Sequence, residues 1–449
     1  MKGYCSRLSW AIYNMHEEIK VLKEGRLRFH AVKTDKFKMS RLSFNFILPA
    51  DVTRSPITRL MLATMMRGCR KYPTVIDINK RLDSLYGATV SWRPVGVGER
   101  HVFKISCEML SNKYRLMGDS ESIVDEVCRV VLEILMNPLL DENGLLPLSH
   151  FESEKRLMID AIKAKINDQK AYAAEQCVRR MMEGSRLAIS SLGTVEQVEG
   201  ITLKDVSDNI AYFLKNSVVE CYYYGQDDVD GVAEMVNSAF AACGRDEGGV
   251  LGEEYSFDRA DRDVRAFEDT LDVGQSRLCI GCIGNVIMSD SDYYAMCLFN
   301  EIFGGSSVGK LFINVREKES LCYYCYSSYH SANGTIMIGC GIKAENKDKA
   351  YAEIIRQLNE MKAGNFTDGD ISTAKRTIIS GLRQISDSPS AMEAFGFRRY
   401  LAGISESVEE CIKKVEAVSR EEIVKVAKGV RPDTVYFLRG NGNGEDDNE

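Results

Sequence analysis

The sequence predicts an α+β protein of two tandem, homologous domains, each an antiparallel sheet with helices packed on one face. Three observations predict it. Helical windows alternate with paired, hairpin-like strands rather than with single strands, and hairpins build antiparallel sheets. Two segments of the second half echo two segments of the first in order and character. Between the halves, over 244–264, the apolar period fails and the chain reads GRDEGGVLGEEYSFDRADRDV, rich in glycine and charge. The chain therefore divides into a first domain over 1–243, a linker over 244–264, a second domain over 265–440 and an acidic tail over 441–449, expected to be disordered.

The elements follow in order. In SPITRLMLATMMRG, Ser55 suits an N-cap, Pro56 the first helical position and Gly68 the end of the helix. Ile57, Leu60, Met61, Thr64 and Met65 recur at the helical period and form its buried face. Helical windows are expected at 57–67, 75–85, 121–136, 151–183, 292–303, 347–362, 368–384 and 420–428. One echo pairs VSDNIAYFLKNSVVECYYYG with VSREEIVKVAKGVRPDTVYFLRG, each a polar-capped helix followed by an apolar run ending in glycine. The other pairs ATVSWRPVGVGERHVFKISC with LCYYCYSSYHSANGTIMIGCGI, each two β-rich runs around a glycine-containing turn. Tandem duplication explains both.

Composition excludes several functions. With 58 Lys and Arg against 65 Asp and Glu, and a net charge of −7, the chain has no footprint for nucleic acid. No window reaches the ~18 consecutive apolar residues of a membrane span, and the first residues lack an apolar signal core. A cytoplasmic protein with no membrane association is expected, and its 14 cysteines read as buried small hydrophobes rather than a disulfide framework.

No metal site emerges from spacing. No two of the five histidines (His16, His30, His101, His150, His330) stand three to five apart, and His150 with Glu154 supplies only two ligands on one helix face. Cys279-x-x-Cys282 and Cys322-x-x-Cys325 lie in strand-like runs, where residues three apart point to opposite faces and cannot form a zinc knuckle. The run from Gly304 to Lys310 imitates a phosphate loop, but Leu311 replaces the Ser or Thr that holds magnesium and a helix precedes it, so a structural turn is expected.

Two stretches carry a resemblance. ITRLMLATMMRGCRKYPTVIDINKRLDSLYGATVSW resembles the first catalytic segment of the insulinase/pitrilysin-like zinc peptidases, the inverzincin family that includes the mitochondrial processing peptidase. There a helix carries H-x-x-E-H, two imidazoles on one face binding zinc beside the glutamate that deprotonates the metal-bound water. Anchored on Arg67-Gly68, the resemblance places Arg59, Leu62 and Ala63 at the His, Glu and His positions. In HFESEKRLMIDAIKAKINDQKAYAAEQC the third ligand's position falls on Ala161, beside Asp160. None of Arg59, Leu62, Ala63 and Ala161 has a lone pair to give zinc.

FNEIFGGSSVGKLFINVREKESLCYYCYSSYHSANGTIMIGCGI is similar to the family's second-domain signature: a glycine-rich turn, an Arg-Glu helix and Leu-x-Tyr entering a strand. On that pattern Arg316 and Tyr323 match the Arg and Tyr that reach the substrate carbonyl, where guanidinium and phenol stabilise a developing oxyanion. Read without it, Arg316 pairs with Glu317 or Glu319 and Tyr323 is a strand aromatic. The hairpin at Glu99-Arg100-His101 matches the strand edge to which family substrates add as a further strand; an ordinary edge guarded by charge and Pro94 reads equally well.

Half-length bacterial members of the family work in pairs, one subunit bearing H-x-x-E-H and the other the Arg and Tyr. The resemblance implies a non-catalytic member of this kind, with no catalytic residue or cofactor in its own chain. It would form a heterodimer with a homologous subunit that holds the zinc, and the pair would enclose a peptide substrate. The alternative is a stand-alone peptide-binding or scaffold protein of the same fold.

Overall fold

The computed structural model describes residues 19–24, 27–244 and 263–441. The expected linker and tail fall almost wholly outside them. The described chain packs as two units: residues up to 164 with 189–244, and residues 165–188 with 263–441.

The first unit is built on a six-stranded sheet of β1 (Ile19–Glu24), β2 (Leu27–Lys33), β3 (Met39–Pro49), β4 (Thr89–Val97), β5 (Arg100–Leu110) and β6 (Val218–Gly225), in the order β1-β2-β6-β3-β5-β4. All neighbours are antiparallel except β2 and β6. Alternate residues of the strands, among them Phe29, Phe44, Phe46, Phe103 and Val219, face one apolar core. Helices α1 (Arg54–Met65), α2 (Val75–Ser84), α3 (Ile123–Met136) and α4 (Leu148–Ala164) contribute to that core. Burying each such aromatic or aliphatic side chain contributes roughly 1.5–3 kcal/mol.

The next helix, α5 (Gln169–Met181), lies within the expected first domain but packs in the second unit. The single window expected at 151–183 is broken at Lys165–Asn167, and Asp168 caps the new helix through the Ala171 N–H. Helices α6 (Val195–Gly200), α7 (Leu203–Asn216) and α8 (Asp230–Ala241) complete the first unit. Capping boxes at Thr74 with Asp77 and Thr202 with Asp205 fix the starts of α2 and α7. Ser55 is not the cap of α1. Asp51 accepts from the Thr53 and Arg54 N–H groups, which starts the helix at Arg54, and Ser55 Oγ instead accepts from the Asp51 N–H.

The second sheet comprises β7 (Arg265–Leu271), β8 (Ser276–Ile283), β9 (Cys322–His330), β10 (Thr335–Ile342) and β11 (Arg431–Gly440), in the order β7-β11-β8-β10-β9. Only β7 and β11 run parallel. Strand for strand this reproduces β2-β6-β3-β5-β4, including the position of the parallel pair. Both sequence echoes fall on corresponding elements: α7–β6 on α14 (Arg420–Gly429)–β11, and the β4–β5 hairpin on β9–β10. The sheets are thus mixed, each mostly antiparallel with one parallel pair.

One face of this sheet packs on α9 (Tyr293–Asn300), α10 (Lys347–Ala363), α11 (Asp368–Gln384), α13 (Val408–Ala417) and α14 through a core that includes Leu278, Ile280, Phe299, Phe303, Ile338 and Phe437. A further helix, α12 (Pro389–Leu401), joins α11 to α13. The other face is covered by α5, whose Ala173 and Cys177 meet Cys279, Met337, Tyr436 and Leu438. This sheet therefore carries helices on both faces, beyond the one face expected. Among the described residues no helix is long and apolar enough to cross a membrane.

Candidate functional site

Arg59, Leu62 and Ala63, which the resemblance sets at zinc positions, sit on α1. Its apolar side is built into the core, so Leu62 is completely buried and could not serve as a base. Arg59 and Ala63 are half-buried one turn apart. The Arg59 guanidinium lies 3.3 Å from Ser191 Oγ, and burial lowers its pKa from the ordinary arginine value. Its charge also lowers the pKa of His101 on β5, already depressed by burial. His101 is held by Ser55 Oγ at 2.7 Å from Nδ1 and the Ile189 carbonyl at 3.2 Å from Nε2. A lasting positive charge thus occupies this turn of α1, and it would repel a dication placed beside it.

The third position fares no better. Ala161 and Asp160 are both exposed on α4. Glu154 is committed to Arg67, at 2.5 Å, which ties the turn after α1 to α4. Gly68 is required in that turn, since a Cβ there would stand 2.3 Å from the Pro73 carbonyl oxygen. Among the described residues no three His, Cys, Asp or Glu side chains are arranged to hold a metal ion. The donor set does not fit zinc.

Arg316 and Tyr323 lie in the second unit, at the head of β9. A wide, π-type helical segment, Leu311–Lys318, carries Arg316 and packs against β9. The chain then reverses through Ser320, whose φ of +50° lets its N–H donate to the Arg316 carbonyl at 3.1 Å. This reversal delivers Tyr323 to the second position of an edge strand. Arg316 stacks its guanidinium 4.6 Å over the Phe312 ring and has one ionic neighbour, Glu317, at 3.7 Å. With side-chain exposures of 42% and 56%, that pair is worth ~0–1 kcal/mol and leaves the guanidinium fork open. Tyr323 is 50% exposed, unusual for a strand aromatic.

The reason is a β-bulge. Cys322 opposes Ile342 and Tyr324 opposes Gly341, so Tyr323 is an extra residue with no partner across the ladder. The bulge also overturns the expectation for Cys322 and Cys325. With one residue inserted between them they share a face, where Cys325 opposes Cys340 and all three join the same core. Cys279 and Cys282, in an unbulged strand, do point to opposite faces as expected, the first toward α5 and the second into the main core. The glycine-rich run is a structural turn: a Cβ at Gly304 would meet Leu311 Cδ1 at 2.6 Å and the Ser327 backbone nitrogen at 2.9 Å.

The first sheet adds a cluster that sequence reading did not single out. On the face away from the core, the buried Glu220 pairs with Arg28 at 3.1 Å and with His30 at 2.7 Å, and Arg41 pairs with Glu108 at 2.6 Å. The signal was period-two alternation of polar and apolar residues in these strands. At the end of this sheet, β4 is an edge strand of alternating exposure that includes Pro94.

Comparison with known proteins agrees with this geometry. Residues 200–378 match the family described as peptidase M16 inactive domain. A probable inactive metalloprotease of Bacillus subtilis, YmfF, is 30% identical over 422 residues, covering 93% of this chain and 97% of its own. Among solved structures, a conserved protein from Enterococcus faecalis V583 superposes with a TM-score of 0.86 at 24% identity over 95% of this chain and all of its own. A protease from Helicobacter pylori gives 0.77 at 12% identity over 94% of this chain and 99% of its own, a likeness of fold alone.

Proposed function

The chain belongs to the M16 metallopeptidase family as a homologue of its inactive members, and from that premise we propose that it is the non-catalytic subunit of a two-component zinc peptidase. The observation that carries the reading is the unequal fate of two sites. The helix expected to bind zinc offers no donor at Arg59, Leu62 or Ala63, with Leu62 sealed in the core and the Arg59 cation held near Ser191. The second-unit segment keeps Arg316 and Tyr323 exposed at the head of an edge strand, neither held by a strong partner.

In this reading a homologous subunit brings H-x-x-E-H and its zinc. This chain brings a guanidinium and a phenol that donate to the carbonyl oxygen of a bound peptide as it gains charge. The edge strands offer backbone groups to which an extended peptide pairs. Closure of two such subunits around the peptide would exclude bulk water. The site of action is the cytoplasm.

Affinity purification of the tagged protein from its own host, followed by mass spectrometry, tests the pairing. The expected result is a homologue bearing H-x-x-E-H at near-equal amount. Within that complex, Arg316→Ala and Tyr323→Phe should each lower kcat/KM for peptide cleavage by about tenfold or more, with zinc content unchanged. Recovery of the bait alone would reject the proposal in favour of a stand-alone peptide-binding protein, a reading that the alternating edge strand β4 supports.

A further inference from the structure

The bulge at Tyr323 has a chemical result that the peptidase reading does not use. It gathers Cys322, Cys325 and Cys340 on one face of the β9–β10 hairpin. Cys325 and Cys340 are 3% and 1% exposed, while Cys322 is half-buried at the margin of the core. The thiols of Cys325 and Cys340 beside it lower the pKa of Cys322, while Cys322 raises theirs.

Arg316, across the reversal, adds positive charge near the same sulfur. Together these favour the thiolate of Cys322 and hold its neighbours as thiols. Burial instead raises the pKa of Cys69, Cys128, Cys177, Cys279 and Cys297, among others. The arrangement has the three parts of a peroxide-sensing thiol: a nucleophile with access, a proton-donating shell and a second thiol behind it.

We propose that Cys322 is a modification site that reacts with hydrogen peroxide or small organic hydroperoxides and is then closed into a disulfide with Cys340. Cys340 is the partner of choice because it lies across the hairpin on the face that Cys322 and Cys325 share. Cys340 stands on the adjacent strand, two residues from the Ile342 that opposes Cys322.

In the first step the Cys322 sulfur attacks one peroxide oxygen. The O–O bond breaks, a sulfenic acid forms, and the departing oxygen takes a proton to leave as water or alcohol. In the second, the Cys340 sulfur loses its proton and attacks the sulfenic sulfur. The S–S bond forms as the S–O bond breaks, and water leaves. Two thiols lose two electrons and the peroxide gains them.

The proposal is independent of the two-subunit reading and is tested on the full-length protein alone. The purified, reduced chain is treated with one to ten equivalents of hydrogen peroxide. Free thiols are blocked with N-ethylmaleimide, disulfides are reduced, and the newly freed cysteines are alkylated and located by mass spectrometry. The expected result is a Cys322–Cys340 disulfide that forms at least about tenfold faster than oxidation of Cys243, the half-buried cysteine of the first unit. In Cys340→Ser, dimedone should trap the sulfenic acid at Cys322, and Cys322→Ser should abolish the rapid phase. Equal rates at Cys322 and Cys243 in the unmutated chain would overturn the proposal without recourse to any variant, as would a rapid phase that survives Cys322→Ser.

Discussion

The two sheets share a strand order and differ on the face turned away from the main core. In the first, that face is an ionic network of Arg28, His30, Arg41, Glu108 and Glu220. In the second it is mainly apolar, with Cys279, Met337, Tyr436 and Leu438 lying under α5 and an Asp269–Arg180 ion pair at its β7 margin. A buried acid opposite the parallel strand is shared: Glu220 pairs with Arg28 at 3.1 Å and Asp433 with Arg265 at 3.7 Å. Backbone pairing and one apolar face fix the topology of each copy, because slipping a strand by one residue would turn its whole core face outward. The second face is free of that constraint and has diverged.

The two candidate sites show the same freedom. Helix α1 has been absorbed into its core, while the head of β9 has kept its polar groups in the open. Leu62→Glu tests this contrast most severely, since it sets an acid at a completely buried position. Placing a carboxylate there should cost on the order of 3 kcal/mol or more, seen as a fall in the urea midpoint. A variant as stable as its parent would mean that α1 presents this position to open space, and the contrast would fail.

Gly304→Ala probes the packing that positions Arg316. Its Cβ meets Leu311 and the β9 backbone, so a loss of about 1–3 kcal/mol is expected. Gly200→Ala in the first unit, where a Cβ meets nothing within 4 Å, should be neutral or slightly stabilising. If both are neutral, the glycine-rich turn does not set the geometry of the second site.

Acid should weaken the first unit through a buried histidine. Burial holds the pKa of His101 below the ordinary 6.5, so it stays neutral when folded and takes up a proton on unfolding. Its neutral form is fully accommodated above that value, and stability falls as pH drops below it. His101→Asn should flatten the dependence between pH 7 and 5 in part. An unchanged slope would sink the attribution. The smallest effect is expected from Arg316→Ala, within about 0.5 kcal/mol, since its ion pair is exposed. A loss above ~1 kcal/mol would make Arg316 a structural residue and weaken its assignment to a substrate.

The duplicated architecture was legible because hairpin turns, capping residues and helical periodicity are local signals, and the α7–β6 and α14–β11 echoes lie on corresponding elements. The burial of Leu60, Met61 and Met65 on α1 was legible for the same reason, since their helical period marks one face whatever its surroundings. The bulge at Tyr323 was not, because one inserted residue leaves no mark in a run already rich in tyrosine and cysteine. Missing it reversed the expected relation of Cys322 to Cys325. The allegiance of α5 was hidden too: periodicity shows that Ala173, Cys177 and Met181 form a stripe, but not which sheet the stripe meets.

That displaced helix bears on how the protein is made. The Cys177 thiol lies 3.8 Å from the Thr434 carbonyl, 257 positions later in the chain. A ribosome must therefore have passed Thr434 before α5 finds the strand it covers. Closing so long a loop is slow, and the helix's apolar stripe is uncovered in the interval. The second unit is expected to mature after the first. Expressing 1–243 by itself would leave α5 without its sheet, and expressing 265–440 would leave the sheet without α5.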